Sequence, residues 1–296
     1  MPHDMTLNIQ KLKVAILGSG NIGTDLLIKT MRSPYLTCSL FIGRNMASAG
    51  MRKANELGVK ISDQGIKAIQ DDPACCDVVF DATSALAHLQ HWPILDALGK
   101  HVIDMTPSKI GAMCVPSINL DEESSLKNVN MITCGGQASV PIAFAIAAVQ
   151  KNLEYVEVVS HIASRSAGPA TRINLDEYIE TTEAAIKKFS GAKHVKAILT
   201  LNPADPCVDM QTTVLVQLAS PNIDKITESI VHMVSKVQKY VPGYQLIVGP
   251  VYENGRIVVT VKVCGLGDYL PKYAGNLDII NCAAIAAAEH YAKSRA

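Results

Sequence analysis

Aromatic side chains are scarce in this chain. They make up 5% of its 296 residues, with a single Trp, which excludes the stacking platforms that single-stranded nucleic acids require. No sign of charge prevails: 27 Lys plus Arg balance 27 Asp plus Glu. Neither a nucleic acid nor an acidic membrane surface is therefore expected as a partner. No stretch approaches the roughly 20 apolar residues of a membrane-spanning helix; the C-terminal "IINCAAIAAAEHY" is short and broken by Asn281, Glu289 and His290. The N-terminal "MPHDMTLNIQKLKVAILGSG" lacks the apolar run behind a basic start that marks a secretory signal. The eight cysteines, at 38, 75, 76, 114, 134, 207, 264 and 282, show no paired CxxC spacing, so no metal is expected. They read as reduced thiols of a cytoplasmic protein.

What is present is a rhythm. "KVAILGSG", "TCSLFIGRN", "DVVFDATSA" and "HVIDMTPS" are short buried strands, and helical segments lie between them. Such alternation predicts an α/β fold, a Rossmann-type doubly wound parallel sheet. From about Tyr155 the pattern changes. "YVEVVSHIAS", "VKAILTLNP", "TVLVQLA", "YQLIVGPVY" and "RIVVTVKVCG" are longer strands with alternating faces, and "ENG" at 253–255 marks a hairpin. Helices near Leu175 to Phe189 and Asn222 to Val241 complete a second domain of α+β type with a mixed or antiparallel sheet. The expected division is 1–134 with 276–296 as the dinucleotide-binding domain, and 135–275 as a catalytic and dimerisation domain.

Gly18, Gly20 and Gly23 form a GxGxxG between a strand and a helix. In that context the first glycine permits the tight turn, the second lets a pyrophosphate approach, and the third lets helix and strand pack. The helix N-terminus adds free N–H groups for the phosphates. An ordinary strand-to-helix turn is the alternative, and dinucleotide binding is the better reading. At the second strand end, where an acid would bond the ribose 2′-hydroxyl of NAD, stand Arg44 and Asn45. Asn45 can bond a ribose hydroxyl, and Arg44 can stack on adenine, meet a phosphate or point into solvent, so the residues alone leave NAD against NADP open.

Cys134 ends the strand-like "NVNMITC" and precedes two glycines and the helical "SVPIAFAIAAV". Ser139 is the expected N-cap, with Pro141 in the first turn. A thiol beside a helix N-terminus should have its pKa lowered, and Gly135 and Gly136 should offer close approach and oxyanion donors. An inert packed cysteine stays open on local sequence. The other seven cysteines are assigned to packing or surface. A dinucleotide site followed by such a cysteine indicates thiolate addition to an aldehyde, hydride transfer and an acyl-thioester.

With these residues the chain resembles the acylating acetaldehyde dehydrogenases, which partner 4-hydroxy-2-oxovalerate aldolases in bacterial catabolism of aromatic hydrocarbons. The matching segments, in order, are "KVAILGSGNIGTDLLIK", "VVFDATSA", "VIDMTP", "NVNMITCGGQAS", "IASRSAGPATR", "VPGY" and "DYLPKYAGNLDI". The resemblance implies that Cys134 is the nucleophile and that NAD binds at Gly18, Ser19, Gly20, Asn21, Ile22, Gly23 and Thr24. It also implies that Ser166, Ala167, Gly168, Pro169, Ala170, Thr171 and Arg172 lie against the cofactor, and that Asn276 reaches the nicotinamide end. Coenzyme A would take the acyl group and NAD would be preferred; Arg44, in place of a negative charge that would repel a 2′-phosphate, would let NADP be tolerated. A homodimer and the aldolase are the implied partners.

The chain departs from that family's pattern in places. Where the family carries Arg-Asp, with the aspartate a proposed base, this chain has Gln211 and Thr212. The second strand end often carries an aspartate, here Asn45, and the loop before "RIVVTVKV" is shorter. His88, His91, His161 and His194 read as structural or surface residues, Asp81 and Asp104 as loop-anchoring acceptors, and no base is assigned. Two other readings stand beside the first: a phosphorylating or hydrolytic semialdehyde dehydrogenase, and a dinucleotide-sensing protein without turnover.

Overall fold

The computed structural model describes residues 11–123 and 126–295. The reading that the first residues carry no signal lies largely outside them. Among the described residues no helix is long and apolar enough to cross a membrane, and no disulfide links the cysteines.

Seven strands form the first sheet: β1 (Leu12–Leu17), β2 (Leu36–Ile42), β3 (Ile61–Ser62), β4 (Val78–Asp81), β5 (His101–Asp104), β6 (Ala112–Met113) and β7 (Asn128–Asn130). Their order is β3-β2-β1-β4-β5-β7-β6, and every pairing is parallel. Val14, Ile16, Val78, Phe80 and Ile103 are fully buried on one face, and Ala15, Val79 and Val102 on the other, as a sheet covered on both sides demands. The order reverses between β1 and β4, so a crevice opens at their C-terminal ends, the usual place for a ligand in such sheets. The two-residue strands β3 and β6 are too short to carry a readable alternation, and the sequence reading omits them.

The second sheet holds β8 (Tyr155–Ala163), β9 (His194–Asn202), β10 (Met210–Gln217), β11 (Tyr244–Glu253) and β12 (Arg256–Val263) in the order β11-β12-β10-β8-β9. It is mixed, because β8 and β9 run parallel while the other pairs are antiparallel. The turn at Asn254 (φ 51°) and Gly255 (φ 76°) is the left-handed pair that a two-residue hairpin needs. Alternate residues of the central strands, such as Val156, Val158, Val214, Val216, Val259 and Val261, are buried in one cluster with residues of the helices Cys134–Val149, Leu175–Ser190 and Ile223–Gln238.

The chain then returns. The helix Gly275–Lys293 packs on the helix Asn21–Arg32 and touches Cys134–Val149 as well. Lys29 locks this return. It is buried, and its Nζ lies 2.8 Å from Asp25, 2.9 Å from Asp268 and 2.8 Å from Asp278; Arg32 also pairs with Asp268. Burial works against the ammonium charge, but Asp278 and Asp25 outweigh it, so the pKa of Lys29 lies above the ordinary lysine value. Asn281 donates to Asp25 at 2.8 Å. Removing one partner of a buried charge set leaves the others uncompensated. Lys29→Met is therefore expected to lower the unfolding free energy by about 3–5 kcal/mol, seen as a lower urea midpoint at unchanged slope.

Candidate active site

The glycine turn forms as its sequence requires. Gly18 has φ +120°, and a Cβ there would lie 2.5 Å from the carbonyl oxygen of Ala82. A Cβ on Gly23 would lie 1.8 Å from the carbonyl oxygen of Gly18. Gly20 differs: a Cβ there meets nothing within 4 Å, so its space faces outward at the N-terminus of Asn21–Arg32. Ser19 Oγ lies 3.3 Å from Ser48 Oγ, and Asn21 is exposed. Thr24 is buried and donates to the Gly20 carbonyl at 2.9 Å, so it braces the turn from within. Arg44 and Asn45 are exposed beyond β2; the Asn45 side chain accepts from the N–H of Ala47 at 2.9 Å.

A cleft lies at the crevice, its lining drawn from distant parts of the chain: Ile22, Thr83, Thr106, Cys134, Thr171, Tyr178 and Asn276 among others. The cleft brings together Ile22, Cys134, Thr171 and Asn276 from the predicted residues. Arg172 stays outside it, donating to the carbonyls of Ala167 at 3.0 Å and Ser164 at 2.9 Å. It staples the loop that holds Ala167 and Gly168, and the helix Pro169–Ile173 follows. Ser166 is buried, and its hydroxyl donates to Ala163 at 2.8 Å.

Asn276 is 1% exposed, its Nδ2 3.5 Å from the Ser166 carbonyl. Its Oδ1 is buried, without a partner, at the cleft. A buried orphaned acceptor is rare, and here it fits a carboxamide N–H of a bound nicotinamide. The open space at Gly20 fits a pyrophosphate. The residues present therefore fit a nicotinamide dinucleotide.

Cys134 is the first residue of its helix, not the end of a strand. The strand β7 stops at Asn130, and Ile132 follows with φ +55°. That conformation strains a β-branched residue by about 1–3 kcal/mol. Asn130 imposes it: its Oδ1 accepts from the Ile132 N–H at 2.8 Å, while its Nδ2 donates to Asp104 at 2.7 Å and to the Thr106 carbonyl at 2.9 Å. Thr133 is the N-cap, its Oγ1 accepting from the Gly136 N–H at 2.9 Å. This corrects the expectation at Ser139, which sits inside the helix and donates to the Gly135 carbonyl at 2.7 Å. Pro141 likewise lies in the interior, not the first turn.

The glycines also differ from expectation. A Cβ on Gly135 would lie 2.2 Å from Tyr178 Oη, and the Gly135 N–H donates to that oxygen at 3.0 Å. With Gly136 engaged by the cap, neither N–H is open to a substrate. Cys134 is half-buried, and its Sγ lies 3.6 Å from Tyr178 Oη. Burial pushes its thiol above the ordinary cysteine range, against the pull of Tyr178 and of the Gly135 backbone. The direction is the reverse of the expected lowering: burial outweighs the hydrogen bonds to the sulfur.

Tyr178 escaped the sequence reading because its helix carries no local signal of a site; only packing brings it to Cys134. Ser160, on β8, lies beside the Tyr178 hydroxyl and 3.0 Å from Thr212 Oγ1 on β10. Thr212 is buried one hydroxyl away from the tyrosine, while Gln211 points to solvent. His88 and His91 bond Asp81 at 2.9 and 2.8 Å, and Asp104 accepts from the Thr106 N–H at 2.8 Å. These groups anchor the strand-end loops. His161 lies on β8 and His194 on β9. The polar strand ends of β4 and β5 were a readable signal for Thr83 and Thr106.

A parallel sheet with a glycine turn, joined to a mixed sheet with a thiol at a helix N-terminus, is the two-sheet α/β fold found in semialdehyde dehydrogenases. Residues 13–124 match the family described as semialdehyde dehydrogenase, NAD binding domain. An aspartate semialdehyde dehydrogenase II of Vibrio cholerae shares the fold, with a TM-score of 0.61 at 14% identity over 96% of this chain and 98% of that one. Residues 134–271 match the family described as prokaryotic acetaldehyde dehydrogenase, dimerisation. The chain is 62% identical over 287 residues to an acetaldehyde dehydrogenase of Pectobacterium atrosepticum, covering 96% of this chain and 97% of that one. It is 57% identical over 288 residues to one of Spirochaeta aurantia, covering 97% of each. The chain belongs to the acetaldehyde dehydrogenase family.

The glycine geometry separates fold from binding. Gly20→Ala is expected to shift the melting temperature by no more than about 2 °C, since its Cβ meets no protein atom. It should weaken dinucleotide affinity at least about tenfold in a fluorescence titration, because the methyl group fills the phosphate's approach.

Proposed function

We propose that this enzyme oxidises acetaldehyde, or another short aldehyde, with NAD and coenzyme A to acyl-CoA and NADH in the cytoplasm. The observation that carries the reading is one cleft holding the Cys134 thiol at a helix N-terminus, the orphaned Oδ1 of Asn276 and the dinucleotide turn's Ile22. The Cys134 thiolate adds to the aldehyde carbon, forming a C–S bond and placing the π electrons on oxygen. The N–H of Cys134, first in the helix, has no intrahelical acceptor, and we assign it to the developing alkoxide. Asn276 Oδ1 would hold the carboxamide of a bound nicotinamide, which would supply the hydride acceptor. As the alkoxide electrons re-form the carbonyl, the C–H bond breaks with loss of hydride, leaving an acyl-thioester on Cys134. The coenzyme A thiolate then adds to the thioester carbonyl, and the Cys134 thiolate leaves.

The family description of residues 134–271 supports a homodimer. So does the second sheet's outward face, where Val159 pairs with Ile198, 39% exposed, and Val258 with Val251, 48% exposed. Partnership with a 4-hydroxy-2-oxovalerate aldolase in aromatic catabolism, the division 1–134 with 276–296 and 135–275, and NAD preference with NADP tolerated complete the proposal.

NADH formation from acetaldehyde should depend on coenzyme A; formation with phosphate or water alone, or tight NAD binding without turnover, would sink the reading. Cys134→Ser should abolish the acyl adduct, found by mass spectrometry on the Cys134 peptide of the parent enzyme after aldehyde and NAD. Arg44→Asp should raise the NAD-to-NADP ratio of kcat/KM, because it returns a carboxylate that repels the 2′-phosphate; an unchanged ratio means Arg44 faces solvent.

A further inference from the structure

Among the described lining residues of the cleft stands no carboxylate, imidazole, ammonium or guanidinium; apart from Cys134, the one group that can ionise is the phenol of Tyr178. The thiol faces no charged side chain from its own helix, from Leu175–Ser190, from β8 and β10, or from Gly275–Lys293. Besides the backbone N–H groups of Gly135 and Cys134, the side chain bonded to it is the Tyr178 hydroxyl, and the donors around that hydroxyl can be assigned.

Tyr178 Oη accepts from the Gly135 N–H at 3.0 Å, so the phenol's one proton is directed to another partner, and Cys134 Sγ lies 3.6 Å away. The Ser160 hydroxyl lies beside Tyr178, and Thr212 Oγ1 lies 3.0 Å behind Ser160. A chain in which Thr212 donates to Ser160 and Ser160 to Tyr178 leaves the phenolic proton for the sulfur. Burial keeps the phenol protonated well above the range where cysteine titrates. Hydrogen bonds in such a chain polarise one another, so each donor behind Tyr178 strengthens the last.

We infer that Tyr178 is a catalytic residue, donating its phenolic hydrogen bond to the Cys134 thiolate, and that Ser160 and Thr212 are positioning residues that polarise it. No proton is transferred along the chain; the bond lowers the energy of the thiolate and so raises the fraction present near neutral pH. A glycine at 135 is then required for the tyrosine, since any Cβ would displace Oη. The inference rests on Cys134 being the nucleophile.

The test is the pH dependence of Cys134 alkylation by iodoacetamide on the full-length enzyme, with the modified peptide followed by mass spectrometry. Tyr178→Phe removes the hydroxyl alone. It should move the inflection to higher pH and slow alkylation at pH 7 by about 10- to 100-fold, the scale for a hydrogen bond to a charged group. Ser160→Ala and Thr212→Val should shift it the same way by a smaller step, and kcat/KM should follow the same displaced pH profile. A tyrosine that merely fills space would leave the inflection of a folded Tyr178→Phe variant unchanged, and that result overturns the inference. Should that variant not fold, unchanged inflections in both Ser160→Ala and Thr212→Val overturn it instead. Failure of the nucleophile assignment is separate: the acyl adduct would appear on a peptide without Cys134, whatever the alkylation profile.

Discussion

Everything at the cleft depends on the C-terminal helix being brought back against the first helix of the dinucleotide domain. Lys29 holds it there through Asp25, Asp268 and Asp278. One ammonium buried among three carboxylates has a single geometry, because any displacement leaves a charge unpaired in a low-dielectric interior. The Asn276 side chain, two positions before Asp278, is placed at the cleft by the same bond set that fixes the helix. The glycine turn begins the helix that carries Lys29, so that turn and the closure share one element.

The second constraint is the turn from β7 into the helix Cys134–Val149. An isoleucine in the left-handed region is held there by Asn130, which Asp104 and Thr106 hold in turn. Strain stored next to a reacting group is maintained only where surrounding bonds over-determine it. Here they do so from the end of β5, tying the position of the thiol to the crevice where the dinucleotide turn opens.

The cleft is also unusual in its electrostatics. The thiol lies in an apolar wall that opposes its ionisation, with neutral donors around it. A charged base would carry its own desolvation penalty at this depth; hydroxyls with fixed donors do not. Thr212 fits this arrangement, since a hydroxyl at that place satisfies Ser160 without adding a buried charge.

The sequence by itself determined the two sheets, their parallel and mixed characters and the glycine turn, and it singled out Cys134, which the structure places at the cleft. These features are local: strand alternation, glycine spacing and turn chemistry act over a few residues and leave a readable pattern. It did not determine the two-residue strands, too short for any period, or the cap at Thr133, because Ser139 offered an equally good local signal and the strain at Ile132 is imposed from β5. Nor could it show that Gly135 makes room for Tyr178, or that burial raises the thiol's pKa. Those depend on groups 43 residues and more apart in the chain, whose meeting is decided only when the two sheets and the returning helix pack together, since desolvation and close contact are properties of the assembled interior.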